Sequence, residues 1–470
     1  MASAIFECVS PAHATIGLEC APQQALRLPD TPPLTPPCDS LSRSSSCDYL
    51  GDLGLSSTSG PVNYAQPTVA VIGTGYVGLH LVEAFSSAYE VIAFDISNQR
   101  IQEIRPTLPS NVTCTSNVDD LSRATHFLMS VSTVIDAQQR IDSSCIQKAI
   151  QTIETHARPG STVVIESSVA VGMTRDLLRP LMTSKSLKCG MSPERVDPGR
   201  TYPHYTTIPK IVSGLDNDSL QSIHALYSKV FLNLVPVTST EVAEMTKLYE
   251  NCQRMMCIAY ANEMADACRQ LSQSLSEKQA SETKTLLPDT ITIDPLEVSR
   301  AAATKPFGYM PYTPSLGVGG HCIPCNPFYL LSNSSFPLLE ACTERMRERP
   351  ARMGDQLMRK IRKATSRRLH VLVVGLGFKR GQAVLSHSPG LALATHLLSN
   401  YNVYVEYADP LVDQNAVPSI PKMEGSEWTV ENLRKFDGIV VAVDQPGLDL
   451  NQLRQAQAQG VHVDWYCNVQ

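Results

Sequence analysis

The sequence lacks any run that approaches the roughly 18 apolar residues of a membrane-spanning helix. Its start, MASAIFECVSPAHATIGLEC, lacks the basic stretch followed by an apolar core that marks a secretory signal. It also lacks positive charge in excess. The 39 Lys and Arg against 45 Asp and Glu leave a net −6, which argues against nucleic acid or an anionic membrane as partner. Fourteen cysteines are scattered with one CxxC spacing, CIPC at Cys322–Cys325, and no second such pair. A structural zinc site needs about four ligands in a closed set, so no metal is expected. Without a secretory signal the thiols are expected to be reduced, and most of them buried.

What is present is an ordinary globular balance, with 43% hydrophobic and 18% charged residues. At roughly 150 residues per domain, 470 residues suggest about three domains. Residues 1–66 are rich in Pro and Ser, cannot bury enough apolar surface to offset ordering entropy, and read as a disordered tail.

Order begins at PTVAVIGTGYVGLHLVEAFSSAYEVIAFDIS. A strand at Val69–Ile72 runs into Gly73, a helical pattern follows, and a second strand, Glu90–Phe94, ends at Asp95: a βαβ unit. The segments THFLMSVS, STVVIESSV and KIVSG continue the alternation, which predicts a doubly wound parallel sheet. From Glu241 to Gln270 there is neither Gly nor Pro. This predicts a helix of roughly 45 Å, long enough to link two domains, with Thr238 and Glu241 at capping-box spacing. Its many small and apolar residues predict burial on more than one side. The polar stretch LSQSLSEKQASETKTLLPDT reads as a surface insertion. A basic helix is expected over 340–368. LHVLVVGLGFKRG then opens a second, smaller α/β domain.

Gly73, Gly75 and Gly78 form GxGxxG between a strand and a helix. The first makes the tight turn, the second admits a pyrophosphate, and the third allows close helix–strand packing. Asp95, about 20 residues on, is placed to bind ribose hydroxyls and repel a 2′-phosphate, which favours NAD over NADP. The second unit, Gly375-Leu376-Gly377, has no third glycine in place. Its spacing does not choose between a different nucleotide mode and pure architecture.

Cys322 follows a glycine run in GVGGHCIPCNP. By itself it is open to three readings: nucleophile, metal ligand or buried thiol. A thiolate near a dinucleotide can add to an aldehyde and yield a thioester, given an oxyanion-stabilising group and activated water. Lys247 and Asn251 share one helix face at i, i+4 and could polarise a sugar oxygen; alone, Lys247 reads first as a solvated surface lysine. Glu194, in SPERVDPG, either orders water or substrate or pairs with Arg195 or a helix end. His321 adjoins Cys322, but neighbours on an extended loop point apart.

Together, VAVIGTGYVGL, IESSVAVGMT, SPERVDPG, STEVAEMTKLYENCQRMMCIAYANE, AAATKPFGYMPYTPSLGVGGHCIPCNPFYL and GLGFKRG resemble the UDP-glucose/GDP-mannose dehydrogenase family, in family order over residues 67–470. The GGHCIP form is similar to the branch acting on UDP-N-acetylhexosamines, such as UDP-N-acetylglucosamine 6-dehydrogenase. The resemblance implies two Rossmann-like doubly wound α/β domains joined by the long helix. Residues 67–237 would bind NAD, 238–350 would form a central dimerisation domain with the cysteine loop, and 351–470 would bind the UDP part. It implies two NAD-dependent oxidations at C6 of a UDP-sugar, through Cys322 as nucleophile, with Lys247 and Asn251 on the oxyanion and Glu194 in the water network. The cofactor residues it implies are Gly73, Gly75, Tyr76, Val77, Gly78, Asp95, Thr133 and Ser168. Substrate contacts are Lys247, Asn251, Gly317, Gly319 and Lys379. It further implies a cytoplasmic homodimer serving nucleotide-sugar metabolism and polysaccharide biosynthesis.

The departures matter equally. The family pattern CIPVDP has an Asp where Asn326 stands, and an amide cannot serve as a carboxylate base. DDIRESP becomes AVLSHSP, with Ser386 for an Arg that makes forked anion contacts. VPTP becomes VSTV, STVPVG becomes SSVAVG, YPGPG becomes YTPSLG, and an apolar position becomes Cys325. These losses keep a second reading open, an impaired relative that binds NAD or nucleotide sugar in a regulatory role. A third is a protein-interaction role driven by the tail.

Overall fold

The computed structural model describes residues 66–467, apart from 137, 198, 201, 283–290 and 363–366. The expected disordered tail lies outside the described residues.

The strands are β1 (Thr68–Ile72), β2 (Glu90–Phe94), β3 (Val112–Thr115), β4 (His126–Met129), β5 (Val134–Ile135), β6 (Ile141–Asp142), β7 (Thr162–Ile165), β8 (Lys188–Met191), β9 (Lys210–Gly214), β10 (Leu234–Pro236), β11 (Leu369–Val374), β12 (Val403–Ala408), β13 (Gly438–Val441) and β14 (His462–Trp465). The first sheet runs β10-β9-β8-β7-β4-β1-β2-β3, and the second β12-β11-β13-β14. β5 and β6 form a small antiparallel hairpin.

Both large sheets are buried on both faces. On β1, Val69 and Val71 enter one apolar cluster while Ala70 and Ile72 enter another. On β11, Val371 and Val373 face one cluster, Leu372 and Val374 the other. Such continuous Val/Ile/Leu runs suit strands with helices on each side. The expectation of a wholly parallel first sheet needs one correction: β8 and β9 pair antiparallel, then β9 and β10 pair parallel. The reversal arises because the chain from Met191 to Lys210 crosses as a loop, not as the helix that a right-handed parallel crossover uses.

The long helix spans Thr240–Glu282, 43 residues. It runs twelve residues past Gln270, into the stretch expected to be a surface insertion. Ser, Gln, Glu and Lys there contain no breaker before Pro288, so a solvated helix continues. Nor does the expected capping box at Thr238 form: the residue that caps is Ser239, whose Oγ accepts the Val242 N–H at 3.3 Å. Ala243, Leu248, Cys252, Met255, Ala259 and Ala265 are buried on one side of the helix. Val242, Met245, Tyr249, Tyr260, Met264 and Leu271 are exposed on another.

The basic helix occupies Pro337–Ile361, shorter than expected. Met346 packs with the long helix; Met353, Leu357 and Ile361 pack into the second sheet. The domain boundary expected at residue 350 therefore falls inside a continuous helix.

Candidate active site

The switch point of the first sheet lies where β1 sits between β4 and β2, the place where such sheets bind ligands. At β1's end Gly73 adopts φ +87, a left-handed value that favours glycine. A Cβ at Gly78 would lie 1.9 Å from the Gly73 carbonyl oxygen, so helix Tyr76–Phe85 approaches the strand only because residue 78 has no side chain. A Cβ at Gly75 would meet nothing within 4 Å. The helix N-terminus there carries no side-chain cap. Open space above uncapped amides fits a pyrophosphate. Asp95 closes the turn from behind. Its Oδ2 accepts the Thr74 N–H at 2.9 Å and hydroxyl at 3.1 Å, and its Oδ1 accepts the Ser97 N–H at 3.0 Å. A carboxylate offers about four acceptor sites, so one remains for a ribose hydroxyl. Val77 is half-buried beneath the turn, and Tyr76 is exposed at its lip. Ile96, 89% exposed beside Asp95, offers an apolar face at the adenosine end that sequence patterning did not single out.

Loops after β4 and β7 form the opposite wall. Thr133 Oγ1 donates to the Ser168 carbonyl at 2.8 Å, and Ser167 Oγ to the Val131 carbonyl at 2.6 Å. Thr133 and Ser168 thus tie these loops together without the prolines of the family pattern. The β7 loop is also locked to the long helix: Glu244 accepts the N–H groups of Gly172 at 2.6 Å and Thr174 at 2.7 Å. Arg175 forks onto Glu241.

The long helix then presents Lys247 and Asn251. Lys247 is not a solvated surface lysine; it is half-buried, and Nζ donates to the Glu194 carbonyl. Asn251 Nδ2 donates to Asn326 Oδ1 at 2.5 Å. Asn326 is 2% exposed and joins the Cys322 turn, donating its N–H to the Cys322 carbonyl at 2.9 Å. The structure therefore brings Lys247, Asn251, Glu194, Asn326 and the Cys322 turn to one side of one helix. Tyr329, from the short helix Asn326–Leu331, sits beneath, fully buried against Thr133 and the cysteines, and burial pushes its hydroxyl up to about 12.

Glu194 is spent inward. Its Oε1 accepts the N–H groups of Arg195 and Val196, at 2.6 and 2.8 Å. Its Oε2 faces Lys210 Nζ at 3.2 Å. The expected partner Arg195 turns its guanidinium to Glu250 instead. Lys210 is buried and holds Glu166 at 2.6 Å, while the Tyr227 hydroxyl donates to Glu166. Burial is the largest influence on both ions: it lowers Lys210, but the two carboxylates outweigh it and keep the ammonium charged. Glu166 is pushed up to about 7 by burial and, secondarily, by the Glu194 carboxylate. Of this cluster only Glu194 was a candidate in the sequence; Lys210 and Tyr227 gave no signal, and Glu166 gave one, a charge at the end of an apolar strand.

The glycine run before Cys322 packs on the C-terminal domain. Cβ atoms at Gly317 and Gly319 would lie 3.3 Å from Pro389 and 2.8 Å from Phe378 respectively. A cleft of about 270 Å³ opens there, lined by Thr313, Leu316, Phe378, Lys379, Arg380 and Tyr466 among others. Lys379 pairs with Asp197 at 3.0 Å, linking this cleft to the Glu194 loop. The second glycine turn is architectural in this fold. Buried Asp409 accepts the N–H groups of Leu376 and Gly377, and a Cβ at Gly377 would lie 2.0 Å from the Gln382 carbonyl oxygen. Those two N–H groups are therefore not free for a pyrophosphate.

Cys325 is core, 4% exposed. Among the described residues no group of three or more His, Cys, Asp or Glu side chains is arranged to hold a metal, and no helix is long and apolar enough to cross a membrane.

An open Rossmann turn, a helix presenting a cation and an amide, and a cysteine turn against a second Rossmann-like domain define an NAD-dependent dehydrogenase. Comparison with known proteins agrees. The NAD binding domain of the UDP-glucose/GDP-mannose dehydrogenase family matches residues 107–231, and its central domain matches 241–278 and 280–343. Across these domains the chain is similar to that family. It is 29% identical over 406 residues to UDP-N-acetyl-D-glucosamine 6-dehydrogenase of Pseudomonas aeruginosa, covering 80% of this chain and 90% of that one. It is 28% identical over 407 residues to UDP-N-acetyl-D-mannosamine dehydrogenase of Pyrococcus horikoshii, covering 80% and 89%. The solved structure of a UDP-D-ManNAc dehydrogenase from Pyrococcus horikoshii superposes with a TM-score of 0.69 at 25% identity, over 83% of this chain and 93% of that one.

Proposed function

We propose that this protein oxidises the C6 alcohol of a UDP-sugar of the N-acetylhexosamine class to the uronic acid, through a covalent intermediate on Cys322. The observation that carries the reading is the convergence of Lys247, Asn251 and the Cys322–Asn326 turn beside an open dinucleotide turn. The Gly73–Gly78 turn and Asp95 would hold NAD, with Thr133 and Ser168 on the opposite wall; two NAD molecules bound there in turn would each supply a hydride acceptor. Lys379 and Arg380 line the C-terminal cleft and would meet a diphosphate there on leaving their carboxylate partners Asp197 and Asp444.

The first oxidation turns the alcohol into an aldehyde. The Cys322 thiolate then adds to C6, forming a C–S bond and an oxyanion. Lys247 Nζ and Asn251 Nδ2 stabilise that charge, once Lys247 swings from the Glu194 carbonyl and Asn251 from Asn326. Loss of the second hydride leaves a thioester on Cys322. Water attacks its carbonyl, the C–S bond breaks, and acid and thiol are released. Asn326 can accept a hydrogen bond from that water but cannot take its proton, which makes hydrolysis the slow step.

A homodimer along the long helix completes the reading. The exposed stripe of Val242, Met245, Tyr249, Tyr260 and Met264 supports it, since exposed apolar stripes mark interaction surfaces. The cytoplasm and polysaccharide biosynthesis are the setting carried by the family resemblance.

The deciding experiment supplies UDP-GlcNAc, UDP-GalNAc or UDP-glucose with excess NAD. Two NADH per sugar supports the full reaction. The second reading, an impaired member, is favoured by the amide–amide pair of half-buried Asn251 and buried Asn326; it gives one stoichiometric burst and a trapped thioester. NAD binding with no NADH from any of the sugars sinks the dehydrogenase reading.

A further inference from the structure

We infer that Cys322 and Cys325 form a reversible disulfide, with His387 as the base that closes it. The two cysteines sit at i and i+3 of one turn. The Cys322 carbonyl accepts the N–H of Cys325 at 3.2 Å and of Asn326 at 2.9 Å. Such a turn keeps the two Cα atoms within about 7 Å, and a disulfide needs about 4.4–6.8 Å. The Cys322 side is partly exposed, so a small oxidant reaches it; Cys325 is 4% exposed and is shielded from direct attack.

Cys325 has one polar neighbour suited to it. Its Sγ lies 3.5 Å from His387 Nε2. Burial pushes the Cys325 thiol up to about 12, so it rests as S–H. Burial, and then the neighbouring His321, lower His387, so its ring rests neutral and able to accept. His387 holds φ +49, a conformation uncommon outside glycine. Its loop is pinned on both sides: the Ser386 carbonyl accepts the Gly320 N–H at 2.8 Å, and Ser386 Oγ lies 3.2 Å from His321 Nε2. The contact thus joins two departures from the family pattern, a thiol at an apolar position and an imidazole beside the missing arginine.

The chemistry balances with a peroxide as oxidant. The Cys322 thiolate attacks one peroxide oxygen, breaking the O–O bond; hydrogen peroxide yields a sulfenic acid and hydroxide. His387 takes the Cys325 proton as its sulfur attacks the Cys322 sulfur. The S–S bond forms, hydroxide leaves and collects a proton, and water results. A dithiol reverses the bond by exchange. The bond would withdraw the sulfur that attacks substrate, a consequence that rests on the nucleophile reading above. It would also guard Cys322 from irreversible oxidation.

The test exposes full-length protein to hydrogen peroxide, blocks free thiols with N-ethylmaleimide, and maps peptides by mass. The wild type should give an unalkylated Cys322–Cys325 peptide about 2 Da lighter than the dithiol, restored by dithiothreitol. Cys325→Val, which keeps the core apolar, should instead carry Cys322 to the sulfinic acid, about 32 Da heavier and not restored. His387→Gln should slow closure roughly 10-fold or more without slowing the first oxidation of Cys322. Alkylation of both cysteines in peroxide-treated wild type overturns the inference. So does sulfinic acid forming equally fast in wild type and Cys325→Val. NADH formation is followed in parallel. A disulfide that forms and reverses while NADH production is untouched leaves the inference standing and sinks the nucleophile reading.

Discussion

Replacing Asn326 by Asp tests whether this site is held back by one missing carboxylate. Asn326 is 2% exposed and its side-chain oxygen already accepts from Asn251 at 2.5 Å, so the new carboxylate keeps that hydrogen bond. A positioned general base is worth about 10²–10⁴ in rate. The steady-state rate of NADH formation should therefore rise by about 100-fold or more, while the initial burst keeps its amplitude. The substitution also has a stability signature. Burial raises the new carboxyl's pKa above the roughly 3.9 of a free Asp. The folded state then prefers the protonated form. The penalty is absent below that value and grows as pH rises, by about 1.4 kcal/mol for each tenfold gain in proton affinity on folding. Thermal unfolding of Asn326→Asp should match wild type near pH 4 and fall below it at pH 8. Stopped-flow NADH absorbance reads the rate and calorimetry the stability. A steady-state rate unchanged with the burst intact would refute the claim that hydrolysis waits on a base at position 326.

On the proposed mechanism, Lys247→Ala and Asn251→Ala should each lower the single-turnover rate of NADH formation by about 10²–10³, because each would remove an oxyanion donor. Gly75→Ala should keep the fold and weaken NAD binding by calorimetric titration, since its Cβ meets only open space. Gly78→Ala should cost about 3 kcal/mol or more in chemical denaturation, because its Cβ collides with backbone at 1.9 Å. Glu166, pushed up to about 7 from 4.5 by burial, binds its proton more readily folded than unfolded. Its contribution is thus greatest below pH 4.5 and is lost as pH rises to 7, by up to about 3 kcal/mol. Glu166→Gln should flatten that slope in thermal unfolding between pH 5 and 8. Tyr260→Arg, in the exposed stripe of the long helix, should shift the protein from dimer to monomer in light scattering without changing its circular dichroism.

Local rules made much of this protein legible. Strand Glu90–Phe94 followed from a β-rich run ending at Asp95, and the first glycine turn from spacing alone. The central helix followed from thirty residues without a breaker, but its true end did not. Nothing in the polar Ser272–Glu282 segment separates a solvated helix from a loop, because both leave the same side chains in water. Cys322, Lys247 and Asn251 were candidates by type and spacing only.

What tertiary structure decided was which polar groups face one another. Lys247 reads as a surface lysine until the loop at Glu194 folds over it and offers a carbonyl. Glu194 reads as ordering water or substrate, or as pairing with Arg195 or a helix end, until Lys210 and two backbone N–H groups claim it. The spacing of the second glycine turn leaves its role open in the sequence; in the fold Asp409 takes its N–H groups while the Gly75 position stays open. The contact of Cys325 with His387 spans 62 residues, a pairing no local pattern encodes. Periodicity and turn chemistry act over a few residues and so are written in the chain. Burial, charge compensation and the occupancy of a donor are properties of the packed whole, and only the fold sets them.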